Sequence, residues 1–238
     1  MLDLHVDASE FITGYEVVPG QPAIVHHVIV ELVDTNATAM DGSGRSNADV
    51  MRALDDASPD RDGWPCFTGA GEGVQIEGTP VVWAPGQGVL QYPDDSGVLL
   101  RPGRVLVAQV HYNLVDPKTR DLPDQTVIRL QRTTSVSQLG MFVVIDPLLE
   151  SLSYEAPVTL PPRDGAAQFA WERTGADMLI DEGLTLQLRG VMPHMHGLGR
   201  KYRLTHQADS MSEIAESHGA AAASWARGCA AAAPARVS

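Results

Sequence analysis

Neutral imidazole is the commonest metal-ligating side chain, and five of the eight histidines in this chain fall in three short apolar segments. They are His26 and His27 in VHHV, His111 in QVHYN, and His194 and His196 in PHMHG. Along a strand, residues i and i+2 share a face with Cα atoms roughly 6 to 7 Å apart, so His194 and His196 can converge on one ion. Adjacent residues face opposite ways. His26 and His27 can therefore share an ion only through local twist or by using different ring nitrogens. A single pair is more often structural, its histidines satisfied by hydrogen bonds; the grouping favours metal, and suits copper, zinc, iron or nickel. His5, His206 and His218 read as surface residues.

The elements that must carry these residues are short. Twenty-two Gly and sixteen Pro, all but three of them spread through the first two hundred residues, predict brief strands joined by turns, and hence an all-β class. Strands are expected at 11–20 and 23–34, on either side of a turn at Pro19-Gly20-Gln21-Pro22, then at 74–83, 88–92, 104–115 and 125–133. A short helix is expected over 46–57, where Val50, Met51 and Leu54 recur at helical spacing behind Ser46. GWPCFTGAGEG (63–73) has the composition of a loop. In 104–115 the apolar face is Leu106, Ala108, Val110, Tyr112 and Leu114, which leaves Gln109, His111 and Asn113 on the other. LTLQLRG (184–190) alternates as well, and Gly190 and Pro193 predict a bulge ahead of His194.

The formal charge of −13 speaks against nucleic acid and anionic membrane surfaces as partners. No stretch reaches the 18 to 20 apolar residues of a spanning helix. MLDLHVDASEF carries acids where an export signal has a basic region, so no signal peptide is expected. Cys66 and Cys229 are too few for a disulfide framework and too far apart for a metal clip. GAGEG lacks the context of a phosphate-binding loop, and no serine nucleophile elbow occurs. A cupin also presents HxH on a strand but adds a nearby glutamate, and Gly197 to His206 contain no acid. Zinc hydrolysis can use three histidines, yet no carboxylate lies close enough in sequence to nominate as general base.

ITGYEVVPGQPAIVHHVIVE, GWPCF, WAPGQG, LVAQVHYN and VMPHMHGLGRKYRL follow one another over residues of about 11 to 206. In order and spacing this set resembles the copper type II ascorbate-dependent monooxygenases, the family of dopamine β-monooxygenase and peptidylglycine α-hydroxylating monooxygenase with many bacterial relatives. The resemblance implies two antiparallel jelly-roll β-sandwich domains facing one another, each holding one copper. It implies that His26, His27 and His111 hold the electron-transfer copper. His194 and His196, with a methionine from further along, hold the oxygen-activating copper. Ascorbate is then the reductant, dioxygen and a small molecule the substrates, and hydroxylation of a C–H bond the reaction. Secretion or the periplasm is the compartment that the kinship suggests.

The chain departs from the family pattern in four places. The methionine ligand has no counterpart, since an Ala-rich stretch stands where it would be sought; Met192 and Met195 fall outside the pattern and read as packing residues. The second sandwich is left incomplete, with open edges. Cys66 lacks the upstream cysteine with which family members pair it, so no disulfide is expected. The arginine with which peptide-hydroxylating members grip a carboxylate is replaced by Met192, with Arg189 out of register, which speaks against a peptide substrate with a free C-terminus.

The expected organisation is thus residues 1–135 as a first sandwich, 136–208 as a partial second one, and 209–238 as an Ala-rich tail, helical or disordered, or else the product of a shifted reading frame. The expected function is a copper-dependent monooxygenase, impaired in this chain. The alternative is a non-catalytic copper-binding β-sandwich remnant that keeps only the first site.

Overall fold

The computed structural model of the chain describes residues 4, 6–66, 69–93, 95–142, 164–165, 167–168, 170, 186–191, 200–207, 211–218 and 236–237. Its elements are β1 (Glu10–Val18), β2 (Val25–Asp34), α1 (Asn47–Asp56), β3 (Gly78–Trp83), β4 (Leu90–Gln91), β5 (Ser96–Leu100), β6 (Arg104–Tyr112), β7 (Val127–Thr133), β8 (Gln138–Gly140), β9 (Leu186–Gln187), β10 (Lys201–Gln207), β11 (Met211–His218) and β12 (Arg236–Val237). Strands dominate, with one short helix among the described residues, which is the all-β class that the Gly and Pro spacing predicts.

β1 is the spine of one sheet: β7 runs antiparallel along one side of it, β5 and β4 share the other, and β8 joins β5 in parallel. The sheet thus reaches past the expected domain boundary at 135. β3, β2 and β6 form a second, antiparallel sheet. Ile12, Tyr15 and Val17 of β1 and Leu100 of β5 meet Val28, Val30 and Leu32 of β2, Val81 and Trp83 of β3 and Leu106 of β6 in one buried cluster. Each such side chain, fully buried, contributes about 1.5–3 kcal/mol. Close approach of the backbones is secured by Gly14, where a Cβ would stand 2.6 Å from the Leu90 carbonyl oxygen.

The other face of the β3-β2-β6 sheet is covered too. Val33 of β2 and Val107 of β6 pack with Val50 and Met51 of α1, and with Ala39, Ala70 and Val74 from the loops on either side of the helix. A strand buried on both faces reads as an unbroken apolar run, which is why VIVELV in β2 lacks clean alternation. Ser46 caps α1 by accepting a hydrogen bond from the Asp49 amide, an arrangement worth about 1 kcal/mol. The face expected of β6 is present for Leu106, Ala108 and Val110.

Several expected boundaries are corrected. The strand expected over 104–115 stops at Tyr112 because the Asn113 side chain accepts from the Val115 amide and turns the chain. Tyr112 and Leu114 are consequently part of the surface, not of the apolar face. The strand expected over 74–83 begins at Gly78, because the Gln75 amide is taken by the Asn47 side chain. β5 was not anticipated, its five residues being too short a run to stand out beside Pro93. The expectation of helix or disorder from 209 is corrected over Met211–His218, which pairs with β10 as a strand. Of LTLQLRG only Leu186–Gln187 is strand among the described residues, paired with Arg236–Val237; of the bulge expected at Gly190 and Pro193, Gly190 lies outside any strand and Pro193 lies outside the described residues.

Within the covered face sits a buried acid. Glu31 accepts a hydrogen bond from the Thr79 hydroxyl at 2.6 Å, and burial raises its pKa above the ordinary 4.5, against the opposing pull of that hydrogen bond. Since the folded chain holds this proton more tightly than the unfolded one, the contribution is complete below about pH 4.5 and is lost as pH rises through the folded value. Glu31→Gln is therefore expected to raise the melting temperature at pH 7, with the gain vanishing near pH 4. Thermal melts of both chains across that range would contradict this if the two curves stayed parallel.

Candidate metal centre

His26, His27 and His111 lie at one end of the β3-β2-β6 sheet. His27 is paired directly with His111 across β2 and β6, so their side chains share a face. His26 should point the opposite way. It does not, because the register shifts between Val25 and His27: Val25 pairs with Tyr112, His27 with His111, and His26 is the extra residue of a β-bulge. The bulge keeps Val25 and Val28 in the apolar cluster on one face and frees both histidines for the other.

The rings consequently meet. Nδ1 of His26 stands 3.0 Å from Nδ1 of His27, and Nε2 of His27 stands 3.3 Å from Nδ1 of His111. The ring centroids of His26 and His111 are 5.2 Å apart, and one nitrogen from each of the three lies within 4.8 Å of the others. Metal–nitrogen bonds of about 2.0 Å at right-angled to tetrahedral geometry separate two ligand nitrogens by roughly 2.8 to 3.3 Å. The triad suits a transition-metal ion by donor type; each short separation matches this span, but the two use different nitrogens of His27, so the three-way separation of up to 4.8 Å must narrow when one ion takes a nitrogen from each ring. His27 meets one neighbour through Nδ1 and the other through Nε2, so an ion that takes one of these nitrogens replaces one of the two hydrogen bonds. His26 and His27 are half-buried and His111 is exposed, which leaves the site open to solvent on the β6 side.

Two groups surround the triad that sequence reading did not single out together. Gln109, one step along the same face from His111, is buried and donates from Nε2 to Sγ of Cys66 at 3.4 Å, which brings Cys66 over this face. Cys66 is a free thiol among the described residues. Beyond His111, the Tyr112 hydroxyl donates to Oδ2 of Asp124 at 3.0 Å. Burial, reinforced by this bond and by the carboxylate charge, pushes the Tyr112 phenol up to about 12. Burial pushes the Asp124 carboxyl upward, but hydrogen bonds from the Thr126 hydroxyl, the Gln21 amide and Tyr112 outweigh it, and the net shift is downward. A lone Asp in LPDQ gives no sign in sequence of such a role.

Of the five sequence-predicted ligands, His26, His27 and His111 are brought together. His194 and His196, with Met192 and Met195, lie outside the described residues. No helix among the described residues is long and apolar enough to cross a membrane. No protein-family model, curated protein or solved structure matches the chain.

Proposed function

We propose that the chain is a copper protein of the ascorbate-dependent monooxygenase type, with His26, His27 and His111 as the ligands of its electron-transfer copper. The observation that carries this reading is the bulge at His26, since it converts an adjacent pair that should diverge into two ligands converging on a third strand position. A histidine doublet kept only for packing has no need of this arrangement. In this reading the two sheets are the first of two jelly-roll sandwiches, and His194 and His196 belong to a second, oxygen-activating site.

Copper, when bound, supplies one-electron redox chemistry with ascorbate as the electron source and dioxygen as the final oxidant of a substrate C–H bond. The chain's own contribution at the first site is a set of three neutral donors. Imidazole serves both Cu(II) and Cu(I), so the site need not be rebuilt between oxidation states. The bulge places His26 and His27 together at one end of a sheet, and exposure of His111 leaves a side open for a small reductant. Because three imidazoles can serve as a metal site without a second centre, the second reading is a copper-binding protein without catalysis.

The two readings differ in measurable ways. Copper content per chain and ascorbate-dependent oxygen uptake are to be measured together after reconstitution. Two copper ions with uptake are expected of the monooxygenase. One copper without uptake assigns the non-catalytic role, and a chain that binds none overturns both.

A further inference from the structure

We propose that Asp124 is the positioning residue of the histidine triad: its carboxylate ties the turn that leads into β2 to the end of β6, and so sets the spacing between His26 and His27 on one strand and His111 on the other. This inference rests on the triad being the metal centre proposed above.

The connections are specific. Oδ1 of Asp124 accepts the Gln21 amide at 2.7 Å, five residues ahead of His26. The Gln21 carbonyl in turn accepts the amides of Ile24 and Val25, both at 3.1 Å, which closes the turn into the bulge. Oδ2 accepts the Tyr112 hydroxyl, from the residue next to His111, and the Thr126 hydroxyl at 2.8 Å. Charge-assisted bonds of this kind are roughly twice as strong as neutral ones. A second tie runs alongside, from the Asn113 amide to the Ile24 carbonyl at 2.7 Å. The 124–125 segment can come this close because position 20 is glycine; a Cβ there would lie 2.5 Å from the Gln125 amide nitrogen.

Strand ends fray when nothing holds them, and the bulge at His26 and the exposed His111 both lie at the end of the β2–β6 ladder. The ladder beyond them has one further pair, Val25 with Tyr112. The hydrogen bonds of Asp124 go to Gln21, ahead of that pair on the β2 side, to Tyr112, within the pair on β6, and to Thr126. Its effect on a bound ion is thus indirect, through the distance between the two backbones.

The test compares the full chain with Asp124→Asn, Asp124→Ala and Tyr112→Phe, using Cu(II) as the probe. Chelator competition reads affinity, electron paramagnetic resonance reads ligand geometry, and imidazole NMR signals of the copper-free chain read the triad itself. Asp124→Ala is expected to weaken Cu(II) about 10-fold, the low end of what losing a group bonded directly to a ligand costs, and to alter the resonance parameters. Tyr112→Phe, which keeps the ring and cuts one strand's link, should give a smaller change in the same direction. Asp124→Asn keeps the shape and serves if the alanine chain does not fold. Unchanged affinity and resonance parameters in Asp124→Asn and Tyr112→Phe would overturn the inference. If the parent chain binds no Cu(II), the metal-centre reading fails on its own account, and shifted or unshifted imidazole signals in the variants still decide whether Asp124 sets the triad.

Discussion

His111→Ala is expected to weaken Cu(II) binding at least about 100-fold, or about 2.7 kcal/mol, while leaving the fold intact. The size follows from the geometry. Among the described residues three imidazoles supply the site, and of these His111 alone comes from β6. Changing a residue that merely supports a ligand costs 10- to 100-fold, so removing one of three ligands must cost at least the upper end of that range. The remaining pair, His26 and His27, would hold an ion from one strand with water completing the shell. Stability should move little, because His111 is exposed and surface changes away from buried networks stay within about 0.5 kcal/mol. Chelator competition with circular dichroism as the control for folding is the measurement, with His206→Ala as the comparison outside the triad. Equal affinity in the His111→Ala and parent chains would remove the triad as the metal centre, and with it the copper reading.

How far this site could be read from the chain depends on one period. Val25 and Val28 are both apolar and three apart, and in a regular strand they face opposite ways. Both lie in the same buried cluster. Two apolar residues at odd separation around a polar doublet are thus the signature of an inserted residue, and VHHV carries it. The signature is ambiguous without its surroundings, because β2 is covered on both faces and either parity gives burial. β6 resolved the matter in part: its Leu106, Ala108 and Val110 face set His111 opposite, and the ladder then carried His27 with it. What could not be read is Asp124. Its four hydrogen bonds come from Gln21, Tyr112 and Thr126, and which turn lies beside which strand end is a property of the closed sheet, not of any local pattern. The extent of β3 was hidden for the same reason, since the Gln75 amide goes to a helix residue 28 positions earlier.

That helix residue sets the second large effect. Asn47 opens α1 and is wholly buried. Its side-chain Nδ2 donates to the carbonyls of Asp34 at 2.9 Å and Gln75 at 3.0 Å, while Oδ1 accepts the Gln75 amide at 2.9 Å. One amide group thereby joins the end of β2, the start of α1 and the loop that leads to β3. Asn47→Ala leaves these backbone groups without their partner in a place from which water is excluded, at about 1–3 kcal/mol for each one left unsatisfied. The Asp34 carbonyl keeps the Ala37 amide at 3.2 Å, which moderates the sum. A loss of about 3 kcal/mol is expected, a large part of the 5–15 kcal/mol that holds an ordinary domain, and equivalent to a fall in melting temperature of roughly 6–12 °C. Asn47→Asp separates hydrogen bonding from packing. It has almost the same shape, but an ionised carboxylate donates nothing and would press a negative oxygen against two carbonyls. If the donated bonds are what hold the three segments together, the aspartate chain is at least as unstable as the alanine chain at pH 7. An aspartate chain that melts with the parent would mean that the site is held by shape alone.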